Sequence, residues 1–318
     1  MPSIRIPRPW EIPEREAAPE HLYLNRRKFL SSLGLAAAQA AAIGAAGFLP
    51  TRLRATDSPY PAKRNSAYPL DRPITDENDA THYNNFAEFD DEKEVWRFAD
   101  RFQTEPWTIR VSGLVAKPQT LDLSKVIRQF PLEERLYRMR CVEGWSIAVP
   151  WTGFPFKALI ERVQPAAQAL YVRLVSFLRP DEAPNQKTFP EQTWPRFQGL
   201  SVAEAMNELS ILATGIYGHE LPKQSGAPIR LVVPWKYGFK SLKSITAIEF
   251  TDQQPQTFWN NQRMPPSHFV ANVNPNERYL DRSQAREKII GTLETRPTEI
   301  YNGYGRWVAE LYAKPGQG

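Results

Sequence analysis

Arg135-Leu136-Tyr137-Arg138-Met139-Arg140-Cys141-Val142-Glu143-Gly144-Trp145 alternates like a strand, but not like an ordinary one. Strand side chains alternate with a period of two, so Tyr137, Met139, Cys141 and Glu143 share one face and Arg138 and Arg140 the other. Leu136 and Val142 flank the arginines, which leaves neither face cleanly apolar. Burying charge on both faces is costly unless something anionic or metallic compensates. Gly144 then breaks the strand and permits close backbone approach by a ligand. The segment marks a site, with Cys141 at its rim.

Cys141 is the only cysteine among 318 residues. A lone thiol is either a small buried hydrophobe or a ligand. As a thiolate it suits soft or high-valent redox metals, and a nearby cation favours that form by lowering its pKa. Arg138 and Arg140 are candidates to supply that field; the alternative is a solvated strand face. The four histidines, His21, His82, His219 and His268, form no HExxH, and no CxxC is present. A zinc hydrolase is thereby excluded. A cysteine peptidase using His82 or His219 lacks a recognisable nucleophile context.

Composition bounds the rest. At 42% hydrophobic and 12% aromatic, the chain has enough apolar material for one large domain or two small ones. The net charge of +5 is scattered, with no basic run long enough for a nucleic-acid arm. Pro 29 against Gly 16 fits a loop-rich α+β or β protein better than a helical bundle.

Outward from the Cys141 segment, Trp107 to Ser112 reads as a strand ending at Gly113, and a short helix follows from about Ser124 until Pro131 stops it. Pro155 opens a helix whose Phe156, Leu159, Ile160 and Val163 repeat at helical spacing. Leu170 to Ser176 is another strand. Ser201 with Glu204 makes a capping box before a helix through about Leu209. Ile229 to Trp235 and Ser244 to Thr251 add two strands. The crossovers vary too much for a doubly wound sheet, so the class is α+β with a mixed sheet. The aromatic, Pro-rich stretch from Phe177 to Gly199 is either a binding loop or lid, or a surface excursion.

The N-terminus carries an address. Asn25-Arg26-Arg27-Lys28-Phe29-Leu30 leads into an uncharged stretch, Phe29 to Leu49, with eight Ala, three Gly and one Gln. A twin arginine before a weakly hydrophobic segment matches a Tat export signal, which carries proteins across a membrane already folded; Ser31 departs from the pattern. Folded export implies a cofactor acquired in the cytoplasm. A membrane-spanning helix is the alternative, though the stretch is poorly hydrophobic for one. Leu53-Arg54-Ala55 is a candidate cleavage site. The expected organisation is signal and cleavage region 1–55, linker or N-terminal coil 56–82, and one folded, cofactor-binding domain 83–318.

Far downstream, Lys236-Tyr237-Gly238-Phe239-Lys240-Ser241-Leu242-Lys243-Ser244 places three lysines and a glycine in nine residues. Such a turn can present cations and backbone N–H groups to a phosphate, though no Walker A is present. A solvated surface is the alternative, and Arg230, whose planar guanidinium suits phosphate, strengthens the anion-site reading.

Together these residues resemble a known family. Tyr83-Asn84-Asn85-Phe86, the run Phe130 to Glu143, Val149-Pro150-Trp151 with Gly153-Phe154-Pro155, and Val233-Pro234-Trp235-Lys236-Tyr237-Gly238-Phe239-Lys240 look like the catalytic subunits of periplasmic protein-methionine-sulfoxide reductases. That resemblance runs from about Tyr83 to Tyr312 and implies a sulfite-oxidase-type molybdopterin-binding fold, α+β with mixed sheets and short peripheral helices. It implies that Cys141 is the thiolate ligand of a Mo-molybdopterin cofactor. It places Asn84, Ala87, Glu88, Ser176, Ser225 and Arg230 at cofactor contacts, and Ser241, Leu242 and Lys243 at its phosphate. Three positions depart from a family member's pattern: Ala87 stands for a Tyr, Ser176 for a Thr and Ser225 for an Asn. Only a backbone contact would survive at Ala87, while the two serines keep a polar tip.

The implied activity is reduction of methionine sulfoxide in periplasmic proteins, with oxygen passing from S=O to reduced molybdenum. Electrons would come from a membrane haem-binding subunit fed by quinone. Glu143 is the candidate for orienting substrate or handling protons; a carboxylate merely paired with an arginine is the alternative. Competing readings are a sulfite dehydrogenase on the same fold, whose cationic pocket would draw on Arg138 or Arg140, and a cofactor-free binding module with Cys141 simply buried.

Overall fold

A computed structural model describes residues 58–257, 269–279 and 282–313 of the chain. They lie in one contact unit, Ser58–Gly318. The twin-arginine segment, the candidate cleavage site, His21 and His268 lie outside the described residues. Among the described residues no helix is long and apolar enough to cross a membrane.

Strands are numbered along the chain. The larger sheet holds β1 (Lys63–Arg64), β4 (Glu133–Arg140), β5 (Trp145–Pro155), β8 (Ile211–Ile216), β9 (His219–Glu220), β10 (Arg230–Val232), β14 (Arg286–Ile289) and β15 (Thr295–Pro297). The smaller holds β2 (Thr108–Gly113), β3 (Gln119–Asp122), β6 (Tyr171–Val175), β7 (Phe197–Ser201) and β11 (Ala247–Thr251), in the order β3-β2-β11-β6-β7. β12 (Arg278–Tyr279) and β13 (Arg282–Ser283) pair alone. Both main sheets mix parallel and antiparallel neighbours, since β1 runs parallel to β4 and β11 parallel to β2. With short helices between, this is the expected α+β class.

The segment from Arg135 to Trp145 is not one strand. It is one arm of a hairpin and its turn. β4 pairs antiparallel with β5 from Glu133↔Gly153 to Arg140↔Ser146. Cys141-Val142-Glu143-Gly144 makes the turn: Gly144 N–H donates to Cys141 O at 3.0 Å and Cys141 N–H to Trp145 O at 2.8 Å. Gly144 sits at φ +94, a conformation that costs glycine little and other residues a good deal. Cys141 and Glu143 therefore leave the strand face and project from its end. The alternation simply ran one turn too far.

β5 escapes a period-two reading because every residue from Ser146 to Phe154 is buried, and because Pro150 interrupts it. It is the central strand, contacting β4, β8 and β14. Elsewhere local signals hold. The helix Phe156–Val163 buries all four of its predicted apolar residues, and the helix Val202–Met206 starts at the Ser201–Glu204 capping box. Phe86, Phe89, Phe102, Trp107 and Phe177 form an edge-to-face and tilted ring cluster. Phe86 is also part of the wall of the cavity described next.

Candidate active site

A cavity of about 830 Å³ joins the β4–β5 turn to the loop after β10. Cys141 and Glu143 form one part of its lining, and Arg230, Ser241, Leu242 and Lys243 another. Asn84, Ala87, Glu88 and Ser225 complete the predicted set on its walls. One predicted residue stands apart: Ser176 does not line the cavity. It is buried, and its hydroxyl donates to the Lys243 carbonyl at 2.9 Å. It buttresses the turn from behind.

The lining around the sulfur is apolar on one side and polar on the other. Cys141 packs with Val142, Tyr237, Val273 and Tyr279, with Trp145 and Phe239 against them. On the polar side Asn85 Nδ2 faces Sγ at 3.7 Å and the Glu143 N–H at 3.5 Å. Burial pushes the thiol up to about 12, and the Glu143 charge adds to this. Glu143 N–H, Lys93 and Arg140 oppose it only weakly. The expected field from Arg138 is absent: its guanidinium pairs with Asp71 at 2.9 Å and Glu299 at 3.2 Å and lies over the Tyr304 ring. Arg140 is fully buried, paired with Glu287 at 3.1 Å, and donates to the Cys141 carbonyl. Neither forms a solvated face. Arg140 fixes the backbone of the turn, whereas the thiol stays protonated unless a metal displaces its proton.

Glu143 Oε2 accepts from Lys93 Nζ at 2.6 Å, Trp145 Nε1 at 2.8 Å and Asn85 Nδ2 at 3.3 Å. Burial raises its carboxyl, but these donors and the Lys93 charge outweigh that and hold it below the ordinary range. Its cation is a lysine, not an arginine.

In the other part Arg230 is buried and donates to the carbonyls of Ser225 at 2.8 Å and Ser241 at 3.0 Å, with its guanidinium over the Trp151 ring. Lys243 Nζ donates to Gln224 O at 2.7 Å and Asn85 O at 2.9 Å. Among the described residues, no carboxylate lies within ion-pair distance of either. Burial alone pushes Arg230 down to about 9, and burial, then Arg230, push Lys243 well down. Of the three lysines in the basic turn, only Lys243 lines the cavity. Lys236 and Lys240 are buried behind it on Glu204, Gly199 O and Phe269 O.

These walls fit a large anionic cofactor. Arg230 is buried and Lys243 half-buried with no carboxylate at ion-pair distance, and the more distant Glu88 charge offsets only part of the cost, so a bound anion would complete them. Gly226, at φ +104, leaves a cradle in which a Cβ would meet Lys243 Cγ at 2.9 Å. Trp151 Nε1 and Gln198 Oε1, buried on the cavity wall, have no hydrogen-bond partner among the described residues. The soft sulfur of Cys141 lines the same cavity.

Residues 97–259 match the oxidoreductase molybdopterin-binding domain family. The chain belongs to that family. It is 43% identical, over 95% of its own length and 93% of the relative's, to the protein-methionine-sulfoxide reductase catalytic subunit MsrP of Burkholderia mallei. Among solved structures, the sulfane dehydrogenase SoxCD of Paracoccus pantotrophus aligns at TM-score 0.41 and 14% identity, covering 66% of this chain and 57% of that one.

The sequence reading missed Asn85 and Lys93 as site residues, although Asn85 stood inside a quoted motif. It also missed Gln198, Arg196, Glu191 and Gln192, which bring part of the Phe177–Gly199 stretch to the cavity wall. No local signal singles these out, because their role comes from tertiary approach to a turn far away in sequence. His82 and His219 do not line the cavity; His219 pairs with Glu77.

Proposed function

We propose that this protein is a molybdopterin-dependent reductase of methionine sulfoxide in proteins, with Cys141 as the thiolate ligand of molybdenum. The single observation that carries the reading is one cavity lined both by a buried soft sulfur and by two cations with no carboxylate at ion-pair distance. That matches a cofactor with a metal at one end and a phosphate at the other. The match to the MsrP relative supplies the substrate class.

Arg230, Lys243, Ser241 and the Leu242 backbone would hold the phosphate. Asn84, Ala87, Glu88 and Ser225 would hold the pterin, and Ser176 would act through the Lys243 carbonyl. Bound there, the molybdenum centre would supply two-electron oxygen-atom transfer, so that a sulfoxide, two electrons and two protons give a thioether and water. The chain's own part is to position and exclude. Trp145 and Phe239 beside Cys141 suit a soft, apolar thioether chain. Glu143, held by three donors, would orient the substrate and accept protons or hydrogen bonds at Oε1.

A sulfite dianion fits less well. Arg138 is committed to Asp71 and Glu299 and does not line the cavity; Arg140 lines it but is paired with Glu287, and Asp90, Asp91 and Glu191 line it too. The relative's description as a catalytic subunit supports a partner subunit, which we take to be a quinone-linked membrane haem protein. The twin-arginine segment supports export, already folded, to the periplasm.

Metal analysis with turnover tests the reading. Cys141→Ser should lose thiolate-bound molybdenum and activity, and wild type should turn over methionine sulfoxide far faster than sulfite. Full molybdenum content and full activity in the serine variant would remove the ligand assignment.

A further inference from the structure

Asn85 and Lys93 belong to a closed loop, held at its neck by Asn84 N–H donating to Lys93 O at 2.9 Å. An asparagine amide has two chemically opposite ends, and which one faces a site decides whether it donates or accepts there. Here the Lys93 ammonium settles the choice. Lys93 Nζ donates to Asn85 Oδ1, and an ammonium has no acceptor to offer an amide nitrogen. The oxygen end is therefore pinned away from the sulfur, and Nδ2 is turned toward Cys141 Sγ at 3.7 Å and Glu143 Oε2 at 3.3 Å. The same Nζ donates to Glu143 Oε2 at 2.6 Å, so one cation ties the 84–93 loop to the β4–β5 turn. Trp145 Nε1 also fills Oε2, and among the described residues Asn85 Nδ2 has no acceptor other than Sγ and Oε2.

We propose that Lys93 is a positioning residue that acts through Asn85: by locking the amide, it aims an N–H at the Cys141 sulfur and so tunes the electron density that this thiolate gives its metal. This rests on the reading that Cys141 ligates molybdenum. Hydrogen bonds to ligating sulfur withdraw electron density and raise reduction potentials. A lysine acting this way makes no contact with the sulfur itself.

The test uses the loaded full-length enzyme and reads the Mo(V) electron paramagnetic resonance g-values and the Mo(V)/Mo(IV) midpoint potential, with molybdenum content measured in each sample. Lys93→Met should keep its molybdenum, shift the g-values and lower the midpoint; Lys93→Arg should restore both. Asn85→Leu should shift them in the same direction, and adding Lys93→Met to it should change nothing further. That last arm separates the relay from a simple through-space effect of the lysine charge, which would add in full. Unchanged g-values and midpoint in a loaded Lys93→Met or Asn85→Leu enzyme overturn the proposal, as does additivity. If Lys93→Met fails to load, the Asn85→Leu arm decides alone, an unchanged spectrum overturning the proposal. Cys141→Ser keeps the two claims apart: if it leaves the spectrum unaltered, the ligand reading fails; if it alters the spectrum and Lys93→Met does not, only the relay fails.

Discussion

Two groups of cations sit on one short stretch of chain, one behind the cavity wall and one facing the cavity, and they are held differently. Lys236 is neutralised: its Nζ lies 2.5 Å from Glu204 Oε1 and also donates to Val270 O, Asn272 Oδ1 and Tyr312. Lys240 beside it donates to Gly199 O and Phe269 O. Lys243 and Arg230 face the cavity with carbonyls as partners and no carboxylate within ion-pair distance. Paired buried charge is architecture. Lys240 shows that carbonyls alone can hold a buried lysine away from the cavity, so the cations an anion would complete are those that face the cavity with no carboxylate at ion-pair distance, and the difference can be broken experimentally from either side.

The largest effect should come from the cavity side. Arg230→Gln removes the charge but keeps a donor for the Ser225 and Ser241 carbonyls. Cofactor content, measured as molybdenum per chain, should fall at least roughly tenfold, since hydrogen bonds to charged groups contribute about 1.5–3 kcal/mol each. Stability of the cofactor-free protein should change by no more than about 1 kcal/mol, because no buried anion is left unpaired. A large loss of stability with full cofactor content would reverse the assignment of the two groups.

Lys236→Met should do the opposite. It strands Glu204 in the core, which costs about 3–5 kcal/mol and lowers the melting temperature by on the order of 10 °C. Adding Glu204→Gln should recover much of the loss while keeping the Ser201 cap. If the double variant melts no higher than the single one, the pair is not the origin of the cost.

Lys240 sharpens the contrast through pH. Burial, then the neighbouring Lys236 charge, push it down to about 7, with Glu204 opposing. Between that value and the ordinary lysine range the unfolded chain binds a proton that the folded one does not. Stability should therefore rise with pH across that window, by at most ~1.4 kcal/mol per pH unit. Denaturant midpoints of wild type and Lys240→Met, compared from pH 7 to 10, should diverge in favour of wild type as pH rises. Parallel curves would show that Lys240 stays charged when folded.

How much of this was legible follows from the same contrast. Local signals carried well: the Phe156–Val163 helix, the Ser201 capping box and strands β2, β6 and β11 are set by periodicity and capping within a few residues. β5 was hidden, because a strand buried on both faces and interrupted by Pro150 shows no alternation. Cys141 to Glu143 read as strand because the alternation continues through them to Gly144, although the turn starts at Cys141. Charge was the hardest. Nothing in Lys236-Tyr237-Gly238-Phe239-Lys240-Ser241-Leu242-Lys243 tells which lysine meets Glu204 and which faces the cavity, since the answer lies in residues tens of positions away. Family likeness named residues that the fold brings to one cavity wall, whereas the place of Lys93 needed the fold.

Ser176 offers the smallest and most discriminating test of the set. Family likeness makes it a cofactor contact, yet its hydroxyl lies against the Lys243 carbonyl and it is absent from the cavity wall. If it acts only by bracing that turn, Ser176→Ala should cost about 1 kcal/mol of stability, the worth of one neutral hydrogen bond. Cofactor content should then fall by a factor of a few, because the Lys243 ammonium keeps its own anchors on Gln224 and Asn85. A direct contact predicts a different pattern, with cofactor loss approaching that of Arg230→Gln and no change in the stability of the cofactor-free protein. Measuring both quantities on the alanine variant separates a residue that holds the ligand from one that holds the residue that does.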